Sequence, residues 1–115
     1  MPHFVEVPIV TEKLEKLYNN GQLTPEGYQD MQISIIEGRT RAPRIPKTGG
    51  ARKVRWKTKH GGKSGGIRAI LYHHRPCSIY YLLYLYTKSD KDSLSASQKK
   101  QLKILINRLK NEIEC

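Results

Sequence analysis

The chain has 115 residues, with 21 Lys and Arg against 10 Asp and Glu, so its formal net charge at pH 7 is +11. A chain of this length is expected to fold as one domain, residues 1–115, around one core. The positive charge favours nucleic acid or another anionic partner, and a membrane protein is excluded because no stretch approaches the roughly 20 apolar residues of a membrane span.

The two cysteines, Cys77 and Cys115, are too few and too isolated for a disulfide framework. A free thiol is expected at Cys115. The N-terminal residues 1–7 lack the charged lead-in and the long apolar run of a signal peptide. Together these features predict a reduced, cytoplasmic protein.

The first part of the chain is predicted to form a strand and two helices. Residues Phe4 to Val10 are apolar and β-branched, as in a strand. Thr11 is the predicted N-cap of a short helix that stops at residues 19–21. Thr24-Pro25 starts a second helix, which ends at Gly38. The stripe of this helix is expected to pack in the core: Tyr28, Met31 and Ile35, with Gln32 and Ile36.

A loop and a basic strand follow. Residues 38–50 are rich in Gly, Pro and Arg, which indicates a loop or an extended arm. From Lys53 to Lys57, basic and apolar residues alternate. This pattern predicts a strand with its three basic side chains exposed and with Val54 and Trp56 buried.

Two more strands and a helix complete the predicted fold. Ile67 to His73 reads as a strand, and Ser78 to Tyr86, apolar on both faces, as a central buried strand. His74 to Cys77 is predicted to be the hairpin turn between them, with His74 solvated. Ser95 with Gln98 forms a capping box for the last helix. Its apolar face is expected to pack on the sheet: Leu102, Leu105, Ile106, Leu109 and Ile113.

Charge is unevenly distributed along this chain. No Asp or Glu occurs from Gly38 to Ser89, although most of the Lys and Arg residues lie there. A solvated surface usually mixes both signs, so this segment is predicted to bind a polyanion. The sequence GGKS at 61–64 resembles the end of a P-loop but lacks its first glycine. The segment also lacks the paired carboxylates of a two-metal nuclease, and the histidines and cysteines of the chain do not have the spacing of metal ligands.

The remaining chemistry is cleavage of RNA without a metal ion, in which the 2′-hydroxyl of the RNA is the nucleophile. Such a reaction needs cations at the phosphate, a base and an acid. The cations are expected from Arg68, Lys53 and Arg55. Proton transfer is expected from Tyr86, Lys88, His73 or His74, with His74 the weaker candidate. Trp56 and neighbouring tyrosines are suited to stack on bases. Contacts to RNA are predicted for Arg44, Lys47, Arg52, Trp56, Lys57, Lys59 and Lys63.

Two other functions are compatible with a basic sheet surface. A non-catalytic RNA- or ribosome-binding protein would use the same residues without cutting the strand. A DNA-binding module is disfavoured because the basic residues lie on strands and loops and no helix-turn-helix pattern occurs.

The element order and three motifs resemble the RelE/HigB family of type II toxin–antitoxin toxins, and the HigB-like branch most closely. The motifs are TGGARKVRW (48–56), GGKSGGIRAILY (61–72) and YYLLYLYTKSDKDSLSASQKKQL (80–102). The resemblance implies an α+β RelE-like microbial RNase fold: a small antiparallel sheet, two N-terminal helices on one face and a C-terminal helix. It also implies a ribosome-dependent endonuclease that cuts mRNA in the ribosomal A site without a metal or cofactor.

The resemblance assigns roles to individual residues and partners. Arg68 matches the phosphate-stabilising arginine, Lys53 and Arg55 the basic strand positions, and Lys88 a basic position after the last strand. Ser89 and Ser95 depart from the RelE pattern, which has arginine and tyrosine there, so the identity of the acid and base stays open. The implied partners are the ribosome, mRNA and an antitoxin, commonly with a helix-turn-helix domain through which operator DNA is bound indirectly.

Overall fold

The computed structural model describes residues 3–59, 66–91 and 93–115. Within these residues the chain forms four strands, three α-helices and one short 3-10 turn. In chain order the elements are β1 (His3–Glu6), α1 (Pro8–Asn19), α2 (Pro25–Ile36), β2 (Arg52–Trp56), β3 (Ile67–His74), the 3-10 turn (Arg75–Cys77), β4 (Ile79–Thr87) and α3 (Ala96–Glu112). No helix in this part of the chain is both long and apolar enough to cross a membrane.

The strands form one mixed sheet in the order β1-β4-β3-β2. β3 is antiparallel to both β2 and β4, whereas β1 pairs with β4 in parallel at the other edge. β4 therefore lies inside the sheet, which accounts for its apolar residues on both faces. This architecture confirms the predicted α+β class, with β1 adding one parallel pair to the antiparallel strands.

Helices cover both faces of the sheet. α1 and α2 pack on one face through residues that include Leu14 and Met31. α3 packs on the opposite face, where Leu102 and Ile106 join the same cluster as Ile70 of β3. The expectations that the stripe of α2 is core and that α3 packs on its own sheet are therefore confirmed.

The boundary between β1 and α1 differs from the prediction. β1 ends at Glu6, and α1 begins at Pro8 with Val7 as its N-cap, so Val10 is helical. Proline explains this start, because it needs no hydrogen bond for its nitrogen at the first helical position and its φ is already helical. Thr11 is inside the helix instead of capping it, and its hydroxyl donates to Glu6 Oε1 at 2.7 Å.

The starts of the other two helices follow the predicted caps. The Thr24 hydroxyl accepts a hydrogen bond from the Gly27 N–H at 3.0 Å. At α3, the Ser95 hydroxyl accepts from the Gln98 N–H at 3.1 Å, and Gln98 Oε1 accepts from the Ser95 N–H at 2.9 Å. Both caps satisfy N–H groups that have no partner inside the helix.

Cys77 and Cys115 form a disulfide, with their Cα atoms 5.3 Å apart. The expectations of a free thiol at Cys115 and of a reduced protein are therefore wrong. The two residues meet because Cys77 ends the 3-10 turn after β3, and the residues that follow α3 reach the same turn. Their sequence separation of 38 residues conceals this proximity.

Candidate active site

Arg68 lies at the centre of a row of three side chains that crosses the sheet. In the strand register, Arg68 of β3 is opposite Arg55 of β2 and Tyr86 of β4. Directly opposed residues project from the same face of a sheet, so these side chains share the face that α3 covers. Arg68 is 5% exposed, and its Nη1 donates to the Gly66 carbonyl at 3.0 Å. This hydrogen bond restrains the guanidinium near the start of β3.

Lys53 stands beside this row. It precedes Arg55 by two positions on β2, so it lies on the same face, and it pairs with Ile70 of β3. The pKa of Lys53 is lowered, first by partial burial of the ammonium group and then by the positive charges of Arg55, Arg68 and Lys99. A lowered pKa makes the neutral amine more accessible, so Lys53 is suited to accept a proton.

Lys99 also affects the pKa of Lys53, which the sequence did not indicate. It lies near the start of α3 and approaches Lys53 because the helix packs over the sheet. The sequence pattern shows only that Lys99 is on the polar side of an amphipathic helix. Its contribution to the field at Lys53 depends on tertiary packing, which has no local sequence signal.

Tyr86 is the most enclosed member of the row, at 2% exposure. Its hydroxyl is buried and has no hydrogen-bond partner among the described residues. Burial raises the pKa of the Tyr86 hydroxyl, while the nearby positive charge of Arg68 opposes that rise. The hydroxyl is therefore protonated near neutral pH, and it is suited to donate a proton or a hydrogen bond.

Lys88 follows β4 and is exposed. Its backbone N–H donates to the Gly66 carbonyl at 3.2 Å, and the same carbonyl accepts the hydrogen bond from Arg68. This shared acceptor places the backbone of Lys88 beside the start of β3. We call Lys53, Arg55, Arg68, Tyr86 and Lys88 the candidate cluster.

The residues predicted to contact RNA are more dispersed than the candidate cluster. Arg44 and Lys47 are exposed on the loop before β2, and Lys57 and Lys59 are exposed just after that strand. Lys63 lies outside the described residues. The exposed cations extend the positive surface from the candidate cluster to both ends of β2.

Two other predicted RNA contacts have roles inside the fold. Trp56 is 8% exposed and belongs to the core between the sheet and helices α1 and α2. The expectation that its ring stacks on bases is therefore wrong for this structure, since strand alternation turns Trp56 away from the basic face with Val54. Arg52 donates from Nη1 to the Ala42 carbonyl at 2.9 Å, which fastens the preceding loop to β2.

The histidines of β3 are removed from the candidate cluster. His74 is 6% exposed, and its Nδ1 shares a 2.9 Å hydrogen bond with the Tyr72 hydroxyl. The prediction that His74 is a solvated turn residue is therefore wrong, because β3 extends through it. His73 stacks on Tyr80 with ring centroids 4.0 Å apart. Neither histidine is near Arg68, since β3 advances about 3.3 Å per residue.

The candidate cluster combines fixed positive charge with two groups of altered pKa. Arg55 and Arg68 can stabilise negative charge on a phosphate, and Arg68 is already held in place. Lys53 can accept a proton and Tyr86 can donate one. Cleavage of RNA by attack of its 2′-hydroxyl on the adjacent phosphate requires these components: positive charge at the phosphate, a base and an acid.

A protein-family model described as the RelE toxin of the RelE / RelB toxin-antitoxin system matches residues 46–114. The matched region covers more than half of the chain. It contains β2, β3, β4 and α3, and it includes every residue of the candidate cluster.

Proposed function

The chain belongs to the RelE toxin family, and from this premise we propose that it cleaves mRNA in the A site of the 30S ribosomal subunit and so inhibits translation. Membership of the family implies a toxin of a toxin–antitoxin system with a cognate antitoxin. We place the chain in the HigB-like branch, on the motifs between Thr48 and Leu102, and we treat residues 1–115 as one toxin domain that acts in the cytoplasm.

The observation that carries this proposal is the register of β2, β3 and β4, which aligns Arg55, Arg68 and Tyr86 in one row. A scissile phosphate beside this row gains charge as the 2′-hydroxyl attacks. The planar guanidinium of Arg68 donates two parallel hydrogen bonds to such an anion, which an ammonium group cannot do. Arg55 adds a second positive charge from the exposed edge of the sheet.

We assign the proton transfers to the two groups of altered pKa. Lys53 accepts the proton of the attacking 2′-hydroxyl, because burial and its cationic neighbours favour its neutral form. Tyr86 donates a proton to the departing 5′-oxygen, because burial keeps its hydroxyl protonated. Lys88, on the exposed chain after β4, binds the mRNA phosphate next to the scissile one. The reaction leaves a 2′,3′-cyclic phosphate and needs neither a metal ion nor a cofactor.

The exposed cations support the proposed RNA and ribosome contacts. Arg44, Lys47, Lys57 and Lys59 flank the candidate cluster on the β2 side of the sheet. Contacts of this kind bind phosphate backbones and lose affinity as salt rises. We propose that the antitoxin shields this surface, and that operator DNA is reached only through a helix-turn-helix domain of the antitoxin.

A second candidate function is non-catalytic binding to RNA or to the ribosome. The observation in its favour is the burial of Tyr86 at 2% exposure, which keeps its hydroxyl out of reach of an RNA strand. On this alternative the candidate cluster binds phosphate groups without cleaving them.

The test is cleavage of a defined mRNA on stalled ribosomes, with and without a chelator, followed by mapping of the new RNA ends. We expect cuts in the A-site codon by the parent protein and a loss of about 10²–10³-fold in rate for Arg68→Ala, as for removal of one transition-state donor. Arg41→Ala is the matched control, because Arg41 is an exposed arginine outside the candidate cluster. Cleavage at the parent rate by folded Arg68→Ala would exclude the proposed role, and binding without new ends would favour the second function.

A further inference from the structure

A second positively charged site lies at the other end of β3. The pairing of β2 with β3 ends at Arg52 and Leu71, so Tyr72 and His73 extend beyond the edge strand. A cleft of about 260 Å³ opens beside this extension. From Arg68 to His73, β3 advances by about 16 Å at about 3.3 Å per residue. The cleft is therefore a separate site from the candidate cluster.

Four cationic side chains line the cleft, and they come from four different parts of the fold. Arg44 belongs to the loop before β2, Arg52 to β2, Arg75 to the 3-10 turn and Lys110 to α3. Among the described residues, those that line the cleft include no Asp or Glu. Both salt bridges within the described residues, Lys13–Asp90 and Arg39–Glu37, lie elsewhere.

A hydrogen bond and a disulfide bond hold the walls of the cleft in position. Lys110 Nζ donates to the Gly49 carbonyl at 2.7 Å and lies 5.8 Å from the centroid of the Tyr72 ring. The Cys77–Cys115 disulfide joins the turn that carries Arg75 to the chain that follows α3. Like charges are thus gathered by the fold itself, and they repel one another unless an anion lies between them.

Two glycines shape the loop that borders the cleft. Gly49 and Gly50 both have positive φ, at 78° and 121°. Residues other than glycine rarely adopt such a positive φ, so the two glycines allow the loop to curve here and bring its backbone to the cleft. Burial lowers the pKa of His73, and the nearby positive charges of Arg75 and Arg52 lower it further. The imidazole therefore remains neutral, and the charge of the cleft comes from the arginines and Lys110.

We propose that this cleft binds a phosphate group. Guanidinium groups match phosphate oxygens in paired hydrogen bonds, and none of the four cations forms a salt bridge within the described residues. The cleft volume of about 260 Å³ lies just below the range for small-molecule sites, roughly 300–1,000 Å³, which suits a phosphate group with no more than one attached nucleoside. The phosphate comes either from an RNA backbone or from a free nucleotide. This inference does not depend on the proposed nuclease activity.

The test is nuclear magnetic resonance of the full chain in 150 mM sodium chloride with three probes: inorganic phosphate, adenosine 5′-monophosphate and 2′-O-methyl hexauridylate. We expect phosphate and the monophosphate to shift the amide signals of Gly49 and Gly50 and the ring signals of His73. A response of the cleft to the oligonucleotide at lower concentration than to the monophosphate would assign the site to RNA backbone. A response to the monophosphate alone would assign it to a free phosphate ligand.

Two double variants with the same loss of charge make the result specific. Arg44→Ala with Arg75→Ala is expected to weaken phosphate binding at the cleft at least tenfold. Arg41→Ala with Arg108→Ala removes two exposed arginines outside the cleft, and a change below twofold is expected. Thermal unfolding verifies that both variants fold. The proposal is overturned if both variants weaken binding equally, if the probes shift only signals around Arg68, or if no probe shifts the cleft signals.

Discussion

Replacement of Tyr86 by Phe should stabilise the protein and inactivate it at the same time. The Tyr86 hydroxyl is buried and has no hydrogen-bond partner among the described residues. A buried polar group without a partner costs about 1–3 kcal/mol. Phenylalanine keeps the ring that packs beneath α3 and removes only the oxygen. We therefore expect the free energy of unfolding to increase by about 1 kcal/mol, which raises Tm by about 4 °C for a domain of this size.

The effect of Tyr86→Phe on cleavage should have the opposite sign. If the hydroxyl donates the proton to the departing oxygen, its removal lowers the rate about 10²–10⁴-fold. The assay is the A-site cleavage of mRNA on stalled ribosomes, with unfolding measured by circular dichroism on the same samples. Loss of activity together with a gain in stability separates a chemical role from a structural one, because a merely structural residue loses both.

Tyr28→Phe is the matched control. The Tyr28 hydroxyl donates to Glu6 Oε2 at 2.7 Å, on the face of the sheet away from Arg68. Removing this hydroxyl loses a hydrogen bond to a carboxylate, so we expect a loss of about 1.5 kcal/mol in stability and unchanged cleavage. The reasoning about Tyr86 is refuted if Tyr86→Phe cleaves at the parent rate. A loss of stability in Tyr86→Phe would contradict the assignment of an unsatisfied buried hydroxyl.

Three further changes probe the charges and the disulfide. Lys53→Met should reduce cleavage, because it removes the proposed base. It should also raise Tm at pH 7, because the lowered pKa of Lys53 means that its charge disfavours the folded state. This gain in Tm should vanish as pH rises past the ordinary lysine pKa of 10.5. The pKa of Asp90 is lowered to about 2 by its hydrogen bond with Lys13 and the Thr87 backbone. Asp90→Asn should therefore lower the free energy of unfolding at pH 7, by less than about 1 kcal/mol for this exposed pair. The difference from the parent should disappear as pH falls from about 4 to 2, which acid titration of unfolding tests. Reduction of Cys77–Cys115, or replacement of both by Ser, should lower the free energy of unfolding by about 2–4 kcal/mol, because the bond closes a loop of 38 residues. Denaturant unfolding measures this loss, and an unchanged denaturation midpoint would contradict that reasoning.

Local sequence rules were sufficient where the structure depends on neighbouring residues. Ser95 and Gln98 form the capping box that their spacing indicates. Alternation along β2 placed Val54 in the core and Lys53 on the opposite face. In contrast, the apolar run after Phe4 was misread as strand throughout, because β-branched residues at the start of a helix resemble a strand until the effect of Pro8 is considered.

Contacts between distant parts of the chain were not predictable in the same way. Cys115 meets Cys77 only after α3 has packed across the sheet, and Lys99 approaches Lys53 for the same reason. Trp56 illustrates a conflict between two sequence arguments. Alternation assigned it to the buried face, whereas its aromatic ring suggested base stacking, and burial of the large apolar surface prevailed.

The meeting of Arg68 with Tyr86 depends on an irregularity in the pairing of β3 with β4. Near the turn, Leu71 is opposite Leu82, but the next pair is Ile70 with Tyr84, so Leu83 is an extra residue in β4. Without this bulge the same register would place Leu85 opposite Arg68. A shift of one residue turns every later side chain to the other face of the sheet, and Tyr86 would then face α1 and α2. The bulge thus directs the hydroxyl of Tyr86 toward the arginines, which is a common use of bulges beside active sites.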